Sequence, residues 1–409
     1  MQMQTKNPRC AGIDVHKDKL VVAARIYGNM TVETFGATSS EIFRMADWLD
    51  SLGVTIVAME STGVYWRPVW NLLEGRFKLI LANAHHVKHI PGCKTDVKDC
   101  RWLAELLEYG LVPQSLVPPC PQRDLRDLTR QRTQLNGDRG RVVNRVQKVL
   151  EGANIKLASV ATDIMGKSGR AILDALVEGK LTPEQMAELV HPLMNAKKPQ
   201  LREALHGRMT VHHRFMLKQL LDQIDHLDRQ ITSFDSRIDE VMSPLEHEIV
   251  KRLDAVPGMN ERVAQVVVAE IGTDMNCYPT SRSLAAWAGL CPNTEESAGK
   301  RRRGRIRHGN GWLKAALVQA AWAAGRTRRS YFSEQHRRIT TRRGAKRANI
   351  AVAHSLLVVC YHLIKEGQEY ADLGVDYFKK PMDPERQAQS LVKRLEKMGY
   401  AVTVTRPAA

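Results

Sequence analysis

The periodicity of the first 107 residues changes in a fixed order, and that order constrains the fold more than any other feature of the chain. Arg9 to Val15, Leu20 to Ile26 and Thr31 to Phe35 are strand-like runs joined by short polar connections, the pattern of a meander. Ser39 to Leu52 then follows a helical period, with Phe43, Trp48, Leu49 and Leu52 on one side. Val54 to Met59, apolar but for Thr55, is as expected of a buried strand, and it ends in Glu60. A helix over Trp66 to Glu74, a strand over Phe77 to Ala82 and a helix capped by Thr95 complete the segment.

Three antiparallel strands, then helix, strand, helix, strand and helix, is the element order of a ribonuclease-H-like α/β fold. On that order Asp14 lies on the first strand, Glu60 at the end of the fourth, and Asp96 and Asp99 in the first turn of the last helix. Carboxylates far apart in sequence thereby converge at one end of a sheet. Asp96 and Asp99 are three residues apart, and two such charges repel by roughly 3 kcal/mol at an effective dielectric of about 20. Acids in a first turn also complement the helix dipole, but that is worth only about 0.3–1 kcal/mol. Four acids at these positions suit a hard cation, Mg2+ or Mn2+, and not zinc. Alternation puts His16 on the same sheet face as Asp14, as a supporting group. His85 and His89 have a metal-like i, i+4 spacing, but without Cys or further His context they read as phosphate contacts or surface residues.

The chain has 409 residues and a net charge of +17. Its seven cysteines are scattered, with no C-x-x-C pair, which argues against a disulfide framework or a zinc knuckle and fits a reducing cytoplasm. The longest apolar stretch, Ala348 to Ile364, is interrupted by Asn349, His354, Ser355 and His362, so it is expected to be a buried helix with no membrane role. Between Lys300 and Arg347 there are 16 Lys or Arg against the single acid Glu334, a net +15. So much like charge in one region calls for a polyanion, and nucleic acid is the usual one.

Pro113, Pro118, Pro119 and Pro121 mark a linker. The arginine-rich helix from Gln122 to Glu151 follows, with Leu125, Leu128, Arg132, Leu135, Arg139, Val142, Val146 and Val149 along one side. Leu217, Leu220, Ile224, Leu227, Ile231, Phe234, Ile238 and Val241 form a cleaner heptad, the seam of a coiled coil. Self-association through it is expected, the alternative being packing on the Gln122 helix of the same chain. Leu253 to Gly272, with Val256-Pro-Gly258, is patterned like a helix-hairpin-helix element that offers backbone N–H groups to a phosphate. Ser297 is followed by Lys300, Arg301, Arg302, Arg303, Arg305 and Arg307, a hydroxyl beside a cluster of phosphate-binding cations and a candidate nucleophile toward phosphate.

Gly12-Ile-Asp-Val-His-Lys17, Met59-Glu-Ser-Thr-Gly63 with Tyr65-Trp66, and Lys94-Thr-Asp-Val-Lys-Asp99 resemble the three blocks of the DEDD transposases of the insertion-sequence 110 family. Val256-Pro-Gly258, Ala288-Gly-Leu-Cys-Pro292, Ser297 and Gly309-Asn310 resemble that family's C-terminal domain. The resemblance implies a RuvC-like domain over residues 1–120, a helical coiled-coil region over 121–250, and a mostly helical transposase domain over 251–365. A tail over 366–409, with a charged helix from Pro384 to Lys397, lies outside it. It further implies Asp14, Glu60, Asp96 and Asp99 as ligands of Mg2+ or Mn2+, and Ser297 as nucleophile. Donor and target DNA, a bridge-type noncoding RNA and a homo-oligomer, a dimer becoming a tetramer when active, are the implied partners. The family shows Ser-Gly at the nucleophile, whereas here Ser297 is followed by Ala298 and then Gly299. Two alternatives stand beside this reading: a metal-dependent junction-resolving nuclease, and a non-catalytic architectural nucleic-acid-binding protein.

Overall fold

In the computed structural model, which describes residues 4–61, 63–82, 96–292, 295–297, 300–302, 306, 308–378 and 384–403, the N-terminal strands pair as their periodicity predicts. β1 (Arg9–Val15), β2 (Lys19–Ile26) and β3 (Asn29–Gly36) form an antiparallel meander. β4 (Ile56–Glu60) adds parallel to β1, and β5 (Lys78–Ala82) parallel to β4. The sheet order is β3-β2-β1-β4-β5-β6. The sixth strand, β6 (Gln114–Ser115), lies in the stretch expected to be only a linker. Two residues suffice there to close the β5 edge, with Leu81 opposite Ser115.

Strand alternation gives the sheet two unlike faces. Ala11, Ile13, Val15, Val57, Met59, Leu79 and Leu81 face a core that includes Ile42, Met45 and Leu49 of α1 (Ser39–Ser51) and Val69, Trp70 and Leu73 of α2 (Trp66–Leu73). On the opposite face Cys10, Ile56, Ala58 and Ala82 pack on Leu103, Leu106 and Leu107 of α3 (Asp96–Glu108). Val21 and Ala23 of β2 meet Cys100 and Ala104 of the same helix. This unit ends at Pro118, and a second compact unit runs from Pro119 onward.

The second unit is helical and is threaded by two long helices, α4 (Cys120–Gly152) and α6 (Val211–Val241), with α5 (Lys167–Glu178) between them in sequence. The heptad of α6 buries Leu217, Leu220, Ile224, Leu227 and Ile231 together with Leu135, Val142, Val146 and Leu150 of α4. Arg132 donates to Asp235 at 2.9 Å and Arg139 to Asp228 at 2.5 Å. As the number rises by seven on one helix it falls by seven on the other, so the pair is antiparallel and the arginines fix its register. The apolar stripe read as a self-association seam is therefore covered within the chain by the Gln122 helix.

A second core gathers the C-terminal elements: α7 (Pro244–Asp254), α8 (Glu261–Ile271), α9 (Ser281–Trp287), α10 (Gly311–Ala324), α11 (Tyr331–Arg343) and α12 (Ala345–Glu366). By length and composition α12 could cross a membrane, but Val352, Ala353, Leu356, Leu357 and Cys360 are buried in this core. Past α12, Tyr370, Tyr377 and Phe378 pack on Tyr331 and Phe332 of α11, so this part of the tail is docked. A last helix, α13, spans Pro384–Glu396.

Candidate functional site

β1 and β4 run parallel with Ile13 opposite Met59, so Asp14 and Glu60 are the next residues in register at the ends of neighbouring strands. By alternation Asp14 shares its face with Cys10 and Gly12, and Glu60 with Ile56 and Ala58; this is the face that α3 covers. Gly12 makes the close approach of α3 possible: a Cβ there would fall 2.5 Å from the carbonyl oxygen of Cys100. Cys10 donates to the carbonyl of Ala104 one helical turn farther along, so α3 runs antiparallel to β1 and brings its first turn toward Asp14. Asp99, exposed, is in that first turn. The Cys100 thiol is pushed up to about 11, mainly by burial and then by the charge of Asp14.

Asp14 is 8% exposed, and its Oδ2 lies 3.0 Å from His16 Nε2, the supporting contact that alternation predicts. The two acids in neighbouring register here, Asp14 and Glu60, offer carboxylate oxygens, a donor type that suits Mg2+ or Mn2+ better than a thiolate-bound metal. Among the described residues no group of three His, Cys, Asp or Glu is gathered tightly enough to hold an ion by itself. Thr95, His85, His89 and the side chain of Asp96 lie outside the described residues.

In the second unit Ser297 ends β7 (Glu295–Ser297), which pairs antiparallel with β8 (Lys300–Arg302), Ser297 lying opposite Lys300. The side chains of Ser297, Lys300, Arg301 and Arg302, and all of Ala298, Gly299, Arg303, Arg305 and Arg307, lie outside the described residues. The roots of the hairpin are fixed. Pro292 bridges to Ile306, and Gly309 sits so close to the Ala288–Gly289 backbone that a Cβ would collide with it. Asn310 then caps α10, accepting from the N–H groups of Trp312 and Leu313.

Sequence reasoning missed the buried charge behind that cap. Glu270 is fully buried, and Arg130 donates to it in a bidentate pair at 2.7 and 2.8 Å. Asn310 Nδ2 donates to it at 2.6 Å. Arg126 and Gln122 donate to the Ala269 carbonyl, and Arg126 also to that of Glu270. Burial lowers the Arg126 guanidinium below its ordinary value, opposed by the charge of Glu270. The signal in the sequence was a lone acid in the apolar run Val266 to Ile271, because a buried acid needs a cation. Arg130 and Trp312 also line a cleft of about 580 Å³ with Arg132, Asn136, Arg262 and Gln319.

The Pro257-Gly258 turn, expected from sequence to offer backbone N–H groups to a phosphate, is half-buried. Gly258 has φ +85° and is seated on α10, where a Cβ would meet the backbone of Ala320 and Ala324. The described part of the basic window offers Arg326, Arg328, Arg329, Arg337, Arg338, Arg342, Arg343, Lys346 and Arg347, all exposed. Like charges concentrated in this way attract a polyanion.

Residues 11–155 match a family model described as transposase, of the DEDD insertion-sequence 110 type, and residues 250–337 match one described as transposase IS116/IS110/IS902 family. The chain is similar to the "Putative transposase y4pF/y4sB" of Sinorhizobium fredii, 24% identical over 335 residues, 80% of this chain and 77% of that protein. It is also similar to the "Insertion element IS110 uncharacterized 43.6 kDa protein" of Streptomyces coelicolor, 27% identical over 209 residues, 50% of this chain and 49% of that protein.

Proposed function

The chain belongs to the insertion-sequence 110 family of transposases, and from that premise we propose that it cuts and rejoins DNA strands through a covalent link between Ser297 and DNA, aided by a divalent metal. The observation that carries the reading is the placing of Asp14 and Glu60 side by side on the face covered by α3. The sheet order supports a ribonuclease-H-like, RuvC-like assignment for the first unit.

In this reading Asp14, Glu60, Asp96 and Asp99 hold one or two Mg2+ or Mn2+ ions, and His16 orients Asp14. A divalent cation supplies charge that polarises a phosphoryl oxygen and eases loss of a proton from a nearby hydroxyl. The Ser297 hydroxyl attacks phosphorus: a P–Oγ bond forms, the phosphodiester bond to the departing strand breaks, the hydroxyl proton leaves and the released oxygen is protonated. Lys300, Arg301, Arg302, Arg303, Arg305 and Arg307 hold the phosphate and balance charge that builds on it. Rejoining is the reverse, with a strand hydroxyl attacking the phosphoserine. One phosphodiester is kept as another, so no ATP is consumed.

A bridge-type noncoding RNA choosing donor and target sites is a further part of the reading, supported by the resemblance and by the exposed cations of α11 and α12. The homo-oligomer rests on the resemblance alone, because the heptad stripe is covered within the chain. The test is resealing. Purified protein, RNA and metal should break supercoiled donor DNA and return closed recombinant strands without ATP. Permanent nicks instead would favour the junction-resolving nuclease.

A further inference from the structure

We infer that Glu270 is a positioning residue for strand joining: through Asn310 it fixes the C-terminal root of the hairpin that carries Ser297 and ties that root to α4. The inference rests on the assignment of Ser297 as nucleophile. A fully buried carboxylate is costly unless its oxygens are satisfied, and Glu270 is satisfied by two elements distant in sequence, Arg130 of α4 and Asn310 after the hairpin.

Asn310 has no freedom to turn. Its amide N–H donates to Glu270 Oε2 at 2.6 Å, and its carbonyl oxygen accepts from Trp312 and Leu313, each at 3.1 Å. A rotated amide would set its oxygen against a carboxylate and its N–H groups against two N–H donors, so the network fixes the orientation. Gly309 just before it is pressed onto the Ala288–Gly289 backbone, and the Pro292 to Ile306 bridge holds the other root. Glu270, through Asn310, is the buried charge that holds the residue directly after this packed glycine.

On its other side the carboxylate is held by α4. Gln122, Arg126 and Arg130 recur one turn apart and bond the end of α8 at Ala269 and Glu270, leaving α4 and the hairpin root joined through one side chain. The helix that makes this contact begins at Cys120, immediately after the first unit ends.

A capping role alone and a positioning role differ in what Asn310→Asp does. Aspartate is as good an N-cap as asparagine, so the cap survives, but a second carboxylate then faces Glu270. We expect the joining rate at saturating DNA to fall by about a hundredfold with DNA affinity unchanged, the cost of a small misplacement of a reacting group. The double variant Glu270→Gln with Asn310→Asp exchanges amide and carboxylate. The new glutamine accepts from Arg130 Nε through Oε1 and donates through Nε2 to the new aspartate, giving up the second Arg130 bond that Oε2 accepted, so joining should return in part. Should Asn310→Asp not fold, Asn310→Ser keeps a capping oxygen, lacks the reach to Glu270 and should show the same loss. Wild-type joining by the single variant, or a folded, DNA-binding double variant that stays slow, overturns the inference. Ser297→Ala on the same substrate separates the two claims. Joining retained there overturns the nucleophile, whereas joining lost there but kept by Asn310→Asp overturns only the role of Glu270.

Discussion

Gly12 lies directly under the carbonyl oxygen of Cys100, with no room for a side chain between strand and helix. That contact sets how close α3 comes to β1, and so how far Asp99 stands from Asp14. Gly12→Ala should cost about 1–3 kcal/mol by overpacking and push α3 outward. Cys100, fully buried, should then become open to alkylation, while Cys360 in the second unit stays protected. Mass-spectrometric footprinting of the two cysteines checks this.

Neutralising any one of Asp14, Glu60, Asp96 or Asp99 should weaken Mn2+ binding and abolish strand cleavage without unfolding the chain. Titration calorimetry with Mn2+, run on Asp99→Asn beside the wild type, reads the effect without any DNA. Unchanged affinity together with wild-type cleavage would remove Asp99 from the ligand set.

The arginines of α4 divide by burial. The Arg132 side chain is 3% exposed, so Asp235→Ala leaves a buried cation short of its partner and should cost about 3–5 kcal/mol. Arg139 and Asp228 are 31% and 47% exposed, and Asp228→Ala should cost no more than about 1 kcal/mol. Urea unfolding of both variants decides the comparison, and equal losses would contradict it.

Ile224 is fully buried between α6 and α4 of one chain. Ile224→Ala should cost about 2–5 kcal/mol while leaving the mass in light scattering unchanged. A lowered mass with unchanged stability would return the seam to an interface between copies.

The order of strands and helices was legible because periodicity is a local property, and β1 to β5 follow it to within a few residues. β6 was hidden because a two-residue strand among prolines has no period to read. The heptad of α6 showed that a partner was needed but not which one. Arg132 and Arg139, seven apart, against Asp228 and Asp235, also seven apart, held that answer as a charge pattern. Asp14 and Glu60 could be placed together from sequence because strand ends are predictable. Glu270 could not be paired, because Arg130 and Asn310 lie 140 and 40 residues away in sequence.

The central claim is that Ser297 joins covalently to DNA, and quenching the reaction in denaturant followed by nuclease digestion and peptide mass spectrometry tests it most directly. The account predicts a nucleotide-bearing peptide that includes Ser297, formed only with Mg2+ or Mn2+ and absent from Ser297→Ala. An adduct that persists in Ser297→Ala, or strand rejoining with no adduct at any residue, would contradict it.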